Sequence, residues 1–118
     1  MAAQESISVT DVLRTSVVSV SGRLDFSAAP AVREVLKNLI DDGRTALVID
    51  TSALQFCDIE GLEVLLEIRQ DLERAGGALR LTGVHGNLER MLDSGRLSHL
   101  FEIDETTVEA LSELMSRS

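Results

Sequence analysis

The chain has 118 residues and a mass of 12.8 kDa, the size of one domain, and 44% of its residues are hydrophobic, enough to form a single core. Its formal net charge at pH 7 is −9, and aromatic residues make up only 3% of the chain. Nucleic-acid binding needs a basic surface and usually aromatic rings, and an anionic membrane surface repels acidic proteins, so the composition argues against both and favours neutral or basic partners.

The N-terminal part of the chain predicts two strands followed by a helix. Residues 7–13 and 15–20 are β-rich runs separated by turn-forming residues, which is typical of an antiparallel pair. Ser27 is placed to cap the first helix, Pro30 lies in its first turn, and Gly43 ends it. The apolar positions of this helix recur every three or four residues and form one stripe, namely Val32, Val35, Leu36, Leu39 and Ile40.

The middle of the chain predicts a buried strand and a long helix. The apolar run 46–49 does not alternate with polar residues, which indicates a central strand covered on both faces. A helix over about 59–75 follows, with Asp58 at its N-cap and Gly76 just beyond its last residue. Its buried side consists of aliphatic residues at helical spacing, namely Leu62, Leu65, Leu66, Ile68 and Leu72.

The last third of the chain continues the alternation of strands and helices. Residues 78–82 predict a strand, 87–92 a short helix and 101–103 a short strand. The final helix is expected to begin near Thr106, because Thr106 and Glu109 have the spacing of a capping box.

The predicted order of elements is ββαβαβαβα, which indicates a single α/β domain over residues 1–118, with its core at about 7–115 and helices packed on a mixed sheet. No apolar run is long enough to cross a membrane, and the opening residues lack the basic and apolar segments of a signal peptide. We therefore expect a cytoplasmic protein with no direct membrane insertion. Cys57 is the one cysteine, so neither a disulfide framework nor a thiolate metal cluster is expected.

No enzyme signature is present, and the sequence predicts no catalytic residue, metal site or cofactor. His85 and His99 are scattered, and Cys57 precedes a helix, where an inert thiol is the simpler interpretation than a nucleophile. One enzyme-like alternative is a receiver-like phosphorelay domain that uses Asp50 at the end of the central strand. That chemistry needs further carboxylates for Mg²⁺ and a lysine after the last strand, whereas the one lysine, Lys37, lies in the first helix.

The stretch from Val48 to Leu62 carries the most information about function. A buried strand ends at Asp50, a loop follows, and a helix begins after Asp58. The N-terminus of a helix has free N–H groups and a partial positive charge, so it can receive a bound or covalently attached phosphate.

Four segments together resemble the signature of STAS domains (sulfate transporter and anti-sigma factor antagonist). These are residues 48–62, the turn Gly22-Arg23-Leu24-Asp25 after the second strand, Gly83 after the fourth strand, and Ser94-Gly95 after the third helix. The resemblance covers the chain from about Ile7 to Leu114. A chain of this length is most similar to the bacterial anti-sigma factor antagonists.

The resemblance implies a partner-switching mechanism in transcription regulation. Such an antagonist binds an anti-sigma factor, often a serine-kinase-like ATPase, and so releases a sigma factor. The kinase phosphorylates a Ser or Thr at the start of the second helix, and the phosphate blocks rebinding. The candidate partner-binding residues are Asp25, Ser27, Asp58, Ile59, Glu60, Gly61, Glu63 and Glu67.

The sequence departs from the family pattern at the phosphoacceptor. The matching position is Ile59, which cannot be phosphorylated, and Glu60 follows where the family usually has a small residue. Three interpretations stay open: an antagonist that is always competent to bind, a domain in which Glu60 imitates the phosphorylated state, and a scaffold outside sigma-factor regulation. Thr51 and Ser52 are candidate alternative phosphorylation sites, although such side chains usually bond to nearby backbone.

The second helix also carries an acidic stripe, which we define as Glu60, Glu63, Glu67 and Asp71. The sequence predicts that Arg69 and Arg74 relieve only part of the repulsion within it. The stripe is either a solvated face of an acidic protein or a docking face for a basic partner.

A different class of function for a domain that resembles the STAS family is a scaffold or regulatory subunit of an ABC transport complex.

Overall fold

The computed structural model describes residues 7–116. Residues 1–6, which include most of the segment used to assess a signal peptide, and residues 117–118 lie outside the described part. The elements in chain order are β1 (Ile7–Val12), β2 (Thr15–Val20), β3 (Gly22–Leu24), α1 (Ala29–Asp41), β4 (Ala46–Asp50), β5 (Leu54–Cys57), α2 (Ile59–Arg74), β6 (Ala78–Thr82), α3 (Gly86–Ser94), a 3-10 turn (Ser98–Leu100), β7 (Glu102–Asp104) and α4 (Thr107–Ser116). The predicted α/β architecture with a mixed sheet is confirmed.

The main sheet has five strands in the order β1-β2-β4-β6-β7. Strands β1 and β2 are antiparallel, as predicted, and the remaining neighbours pair in parallel. The carboxyl ends of parallel strands meet at one edge, so Asp50 at the end of β4 lies opposite Thr82 at the end of β6. The connection from β4 to α2, which carries the candidate site, leaves the sheet at this edge.

Strand β4 is covered on both faces, as its unbroken apolar run predicts. Leu47 and Ile49 are fully buried in a large cluster with apolar side chains of α1, α2 and α3. Val48 points to the opposite face and packs in a smaller cluster with Ala110 and Leu114 of α4. Three helices therefore cover one face of the sheet, and α4 covers the other.

The sequence missed a second, two-stranded sheet formed by β3 and β5 in parallel. We predicted a turn at 22–25 and a loop before Asp58, because both segments are short and neither shows regular alternation. Each strand finds its hydrogen-bond partner about 30 residues away in the chain, and no local pattern reports such a pairing. The small sheet is the element that brings the parts of the candidate site together.

Candidate partner-docking site

The carboxylate of Asp58 joins the turn after β3 to the start of α2. Asp58 Oδ1 accepts a hydrogen bond from the Gly61 N–H at 2.9 Å, which confirms the predicted N-cap. Its other oxygen, Oδ2, accepts from the Phe26 N–H at 2.9 Å. The Asp58 N–H donates to the Leu24 carbonyl at 3.1 Å, so two hydrogen bonds join the segments and a third caps α2.

The cap of α1 differs from the prediction. Ser27 is not the N-cap residue; Ala28 occupies that position and its side chain offers no cap. Asp25 supplies the acceptor instead, because its Oδ1 accepts from the N–H groups of Ser27 (3.1 Å) and Ala28 (3.2 Å). The Ser27 hydroxyl also donates to Asp25 at 2.9 Å, and this bond, with those from the backbone and Arg23, lowers the pKa of the Asp25 carboxyl. Asp25 thus holds the turn in shape beside α2.

Gly61 lies where α2 crosses the small sheet, and only a glycine fits there. A Cβ at this position would lie 2.3 Å from the Leu24 carbonyl oxygen and 2.7 Å from Leu24 Cγ. It would also lie 3.0 Å from the Cys57 Sγ. The first turn of α2 is therefore packed directly against the backbone of β3.

Replacing Gly61 with alanine should lower the free energy of unfolding by about 1–3 kcal/mol, since the added methyl group overlaps backbone that cannot move freely. This loss should appear even though alanine favours a helix over glycine by about 1 kcal/mol. Urea denaturation measures it, with the exposed neighbour Glu60→Ala as a control expected to stay within about 0.5 kcal/mol of the parent. An alanine variant as stable as the parent would contradict the close contact.

Two large apolar side chains are exposed on either side of Asp58. Ile59 is 60% exposed and is the first residue of α2, directly after Asp58. Phe26 is 72% exposed, and its N–H donates to Asp58 Oδ2. Ile59 does not fold down against the helix or the loop. The sequence alone assigns no role to Phe26; the signal for it is an aromatic residue in a polar turn, outside any strand or helix pattern.

The acidic stripe of α2 is divided in two by cations of α1. Glu67 accepts from Arg33 at 3.0 Å and lies 2.8 Å from the Lys37 Nζ, which is also 2.6 Å from Asp71. The bonds to Lys37 and Arg33 lower the pKa of Glu67, and those to Asp71 and Glu67 raise the pKa of Lys37.

The predicted relief of the stripe by arginines of α2 itself is therefore only partly right. Arg74 does reach Asp71, at 3.2 Å. Arg69 instead donates to the Leu100 carbonyl and lies 3.9 Å from Glu73, outside the stripe. The main neutralising groups come from α1, because packing of α1 against α2 places the two helix faces side by side.

The two alternative phosphorylation candidates differ in access. Thr51 is 1% exposed, and its hydroxyl donates at 2.8 Å to the carbonyl of Thr82, which is 31 residues away at the end of β6. The acceptor is backbone, as predicted, but it is not local in the chain. A kinase cannot reach Thr51 in this conformation. Ser52 is exposed, and its N–H donates to Asp50 Oδ1 at 2.9 Å, so Asp50 shapes the loop at the end of β4.

Cys57 and Asn87 close the side of the site that faces α3. Cys57 is fully buried, and this burial, followed by the charge of Asp58, raises the pKa of its thiol to about 12. The thiol therefore stays protonated at neutral pH. The Asn87 side chain accepts from the Cys57 N–H at 2.9 Å and donates to the Cys57 carbonyl, which fixes the free edge of β5. No local pattern indicates this bond, since the sequence predicts only that Asn87 begins a helix.

Within residues 7–116 no group of three or more histidine, cysteine or acidic side chains is arranged to hold a metal ion. His85 and His99 lie on different elements, the former before α3 and the latter in the 3-10 turn. In the same part of the chain, no helix has both the length and the apolar character needed to cross a membrane.

A family model for the STAS domain matches residues 6–110, so the chain belongs to the STAS domain family. It is 33% identical over 108 residues to the anti-sigma-F factor antagonist RsfB of Mycobacterium tuberculosis. The aligned residues cover 90% of this chain and 83% of that protein.

Solved structures agree with this assignment. A crystal structure of an anti-sigma factor antagonist from Mycobacterium paratuberculosis is similar with a TM-score of 0.82 and 31% identity, over 96% of this chain and 97% of that one. The unphosphorylated anti-sigma factor antagonist SpoIIAA shares the fold, with a TM-score of 0.73 and 23% identity over 94% of this chain and 96% of its own.

Proposed function

We propose that this STAS domain is an anti-sigma factor antagonist, a binding protein rather than an enzyme, and that its anti-sigma factor docks at the start of α2. The relatives above carry this function in their names. The observation that supports the docking position is the exposure of two large apolar side chains near Asp58. They belong to Ile59, the first residue of α2, and to Phe26, whose N–H donates to Asp58. Large exposed apolar side chains on ordered backbone favour binding, because a partner that covers them removes apolar surface from water at little cost in backbone freedom.

The proposed docking surface comprises the residues named from the sequence, with Phe26 added and Glu67 left out, because Glu67 is paired with Arg33 and Lys37 of α1. The residues of this surface have different tasks. Asp25, Asp58 and Gly61 shape the surface, since their polar groups or packing are used within the domain. The side chains offered to a partner are exposed, namely Phe26, Ser27, Ile59, Glu60 and Glu63.

Ile59 gives the domain an apolar contact where related antagonists are reversibly phosphorylated. A kinase partner has no hydroxyl to modify at this position. We therefore favour the interpretation that the domain is always competent to bind, and that control acts on the anti-sigma factor or on the amount of this protein. The high exposure of Ile59 supports this interpretation, because an Ile59 folded into the core could not contact a partner.

A pull-down from the native cells, with wild-type protein and with Ile59→Asp, tests the proposal. The wild type should recover an anti-sigma factor with a serine-kinase-like ATPase domain. Ile59→Asp should weaken binding at least about 30-fold, because it removes apolar contact and places an unpaired charge in the interface. Recovery of no anti-sigma factor by the wild type would overturn the function.

Val108→Asp is the matched control. Val108 is a β-branched residue that is 72% exposed on α4, so the same change of chemistry is made away from the proposed surface. It should leave binding unchanged. Equal binding by Ile59→Asp and wild type would overturn the docking position while leaving the function standing.

Glu60→Ser distinguishes a fixed phosphate mimic from a permanently active antagonist. If Glu60 imitates a phosphate, its removal should tighten binding to the recovered factor; if Glu60 contributes to docking, its removal should weaken binding. We expect weaker binding, measured as Kd by isothermal titration calorimetry.

Phosphorylation of Ser52, the exposed alternative site, is a separate question. Mass spectrometry of the protein recovered from the pull-down measures phosphate on Ser52, with Ser52→Ala as control.

A further inference from the structure

The two halves of the acidic stripe offer different charge to a partner. Glu67 and Asp71 are held by Lys37, with Nζ to oxygen distances of 2.8 and 2.6 Å, and Glu67 is also held by Arg33. Their charges are largely cancelled within the domain, since each carboxylate has a cation in direct contact.

The half of the stripe nearest the candidate site is not cancelled. Glu60 and Glu63 are exposed, and neither forms an ion pair with any residue in the range 7–116. They lie on the first turns of α2, next to Ile59 and across Asp58 from Phe26. Unpaired acid and exposed apolar surface therefore occur together at one end of α2.

We propose that Arg33 and Lys37 of α1 neutralise the far half of the acidic stripe, so that the negative charge available to a partner is confined to Glu60 and Glu63. The partner then presents an apolar pocket for Phe26 and Ile59, with basic side chains on the border of the pocket that faces α2. The inference rests on the proposed function and specifies the chemistry of the anti-sigma factor's surface. Charge complementarity selects this occupant, since a neutral apolar partner would leave two carboxylates desolvated without compensation. Lys37 contacts both Glu67 and Asp71, so with Arg33 it limits how far the negative surface extends along α2.

Four single substitutions test the inference against the anti-sigma factor recovered in the pull-down, with Kd measured at several salt concentrations. Glu60→Gln and Glu63→Gln should each weaken binding about 2–5-fold at low salt and make it less dependent on salt. Glu67→Gln removes a carboxylate charge that is already paired within the domain. It should change Kd less than 2-fold, which is about the smallest effect measured for an exposed ion pair. Lys37→Gln removes one of the two cations in contact with each of Glu67 and Asp71, which keep Arg33 and Arg74 respectively. The added negative charge should tighten binding about 2–3-fold and steepen the salt dependence.

The ion pairs themselves can be checked without a partner. Reductive methylation of the protein with a carbon-13 label gives one lysine side-chain resonance, from Lys37. That resonance should shift in Glu67→Gln and stay in place in Glu60→Gln. Thermal unfolding of all four variants confirms that they are folded at the temperature of the binding assay.

The outcomes separate this inference from the proposed function. Binding of an anti-sigma factor that is unaffected by Glu60→Gln and Glu63→Gln would overturn the inference alone. A loss in Glu67→Gln as large as in Glu60→Gln would also overturn it, because the paired half would then contribute to docking. If wild type binds no anti-sigma factor, the proposed function fails, and the inference fails with it.

Discussion

Replacing Asp104 with alanine should lower the free energy of unfolding by about 3–5 kcal/mol, because it leaves the Arg80 guanidinium buried without its counter-ion. The Arg80 side chain is 7% exposed, and Asp104 holds it with two bonds, from Nε at 2.6 Å and from Nη2 at 3.2 Å. The bond to Asp104 is also the main cause that raises the pKa of Arg80.

The remaining groups around Arg80 cannot replace Asp104. Glu102 lies 3.7 Å away and is 64% exposed, so it contributes little. Nη1 of Arg80 is buried and has no hydrogen-bond partner among the described residues, so the guanidinium is already incompletely satisfied. Guanidinium chloride denaturation, analysed at constant m value, measures the loss.

A double variant separates the charge from the packing. Arg80→Met combined with Asp104→Leu removes both charges and keeps apolar volume beneath α4, so it should be within about 1 kcal/mol of the parent or more stable. Two results would contradict the loss of a buried ion pair as the cause of the destabilisation. One is a decrease in the free energy of unfolding of less than about 1 kcal/mol for Asp104→Ala, and the other is a double variant as unstable as the single one.

Replacing Leu65 with alanine should cost about 2–5 kcal/mol, the second largest effect expected. Leu65 is fully buried on α2, in the cluster that includes Leu47 and Ile49 of β4. The change removes apolar contact and leaves a cavity where α2 meets the sheet, which the surrounding side chains fill only in part.

The same substitution at Leu13 provides the control for Leu65. Leu13 is 75% exposed at the tip of the β1–β2 hairpin, so Leu13→Ala should change stability by no more than about 0.5 kcal/mol. Urea denaturation of both variants in parallel gives the comparison. Similar values for the two leucines would show that α2 does not pack on the sheet as described.

Much of the fold is readable from local signals. The helix α2 begins after Asp58 because the aspartate side chain accepts a hydrogen bond from the N–H of the residue three positions along. It is amphipathic because its apolar residues recur at helical spacing. The run 46–49 reveals β4 because a strand buried on both faces has no polar alternation. The sequence also predicts the first helix, but with Ser27 as its cap. In the structure Asp25, in the preceding turn, accepts from the N–H groups of Ser27 and Ala28 instead.

The candidate site was predicted less completely. Its family resemblance located Asp25, Asp58 and Ile59, but not Phe26, which joins them only through a bond to Asp58 over 32 residues. The acidic stripe was recognised from its spacing on one helix. Its partial neutralisation by Lys37 was not, because that lysine belongs to another helix and the distance between helix faces is not encoded in a local pattern.

The sequence by itself determined the chemistry available to this protein: an acidic STAS domain, with isoleucine at the start of α2 and a stripe of four acids along that helix. The tertiary structure decided which of those groups are free to act. Pairing of β3 with β5 brings the turn that holds Phe26 to Asp58, and packing of α1 on α2 engages Glu67 while Glu60 stays exposed. The physical reason is that residue type and spacing follow from the chain alone, whereas burial and ion pairing depend on which distant segments meet.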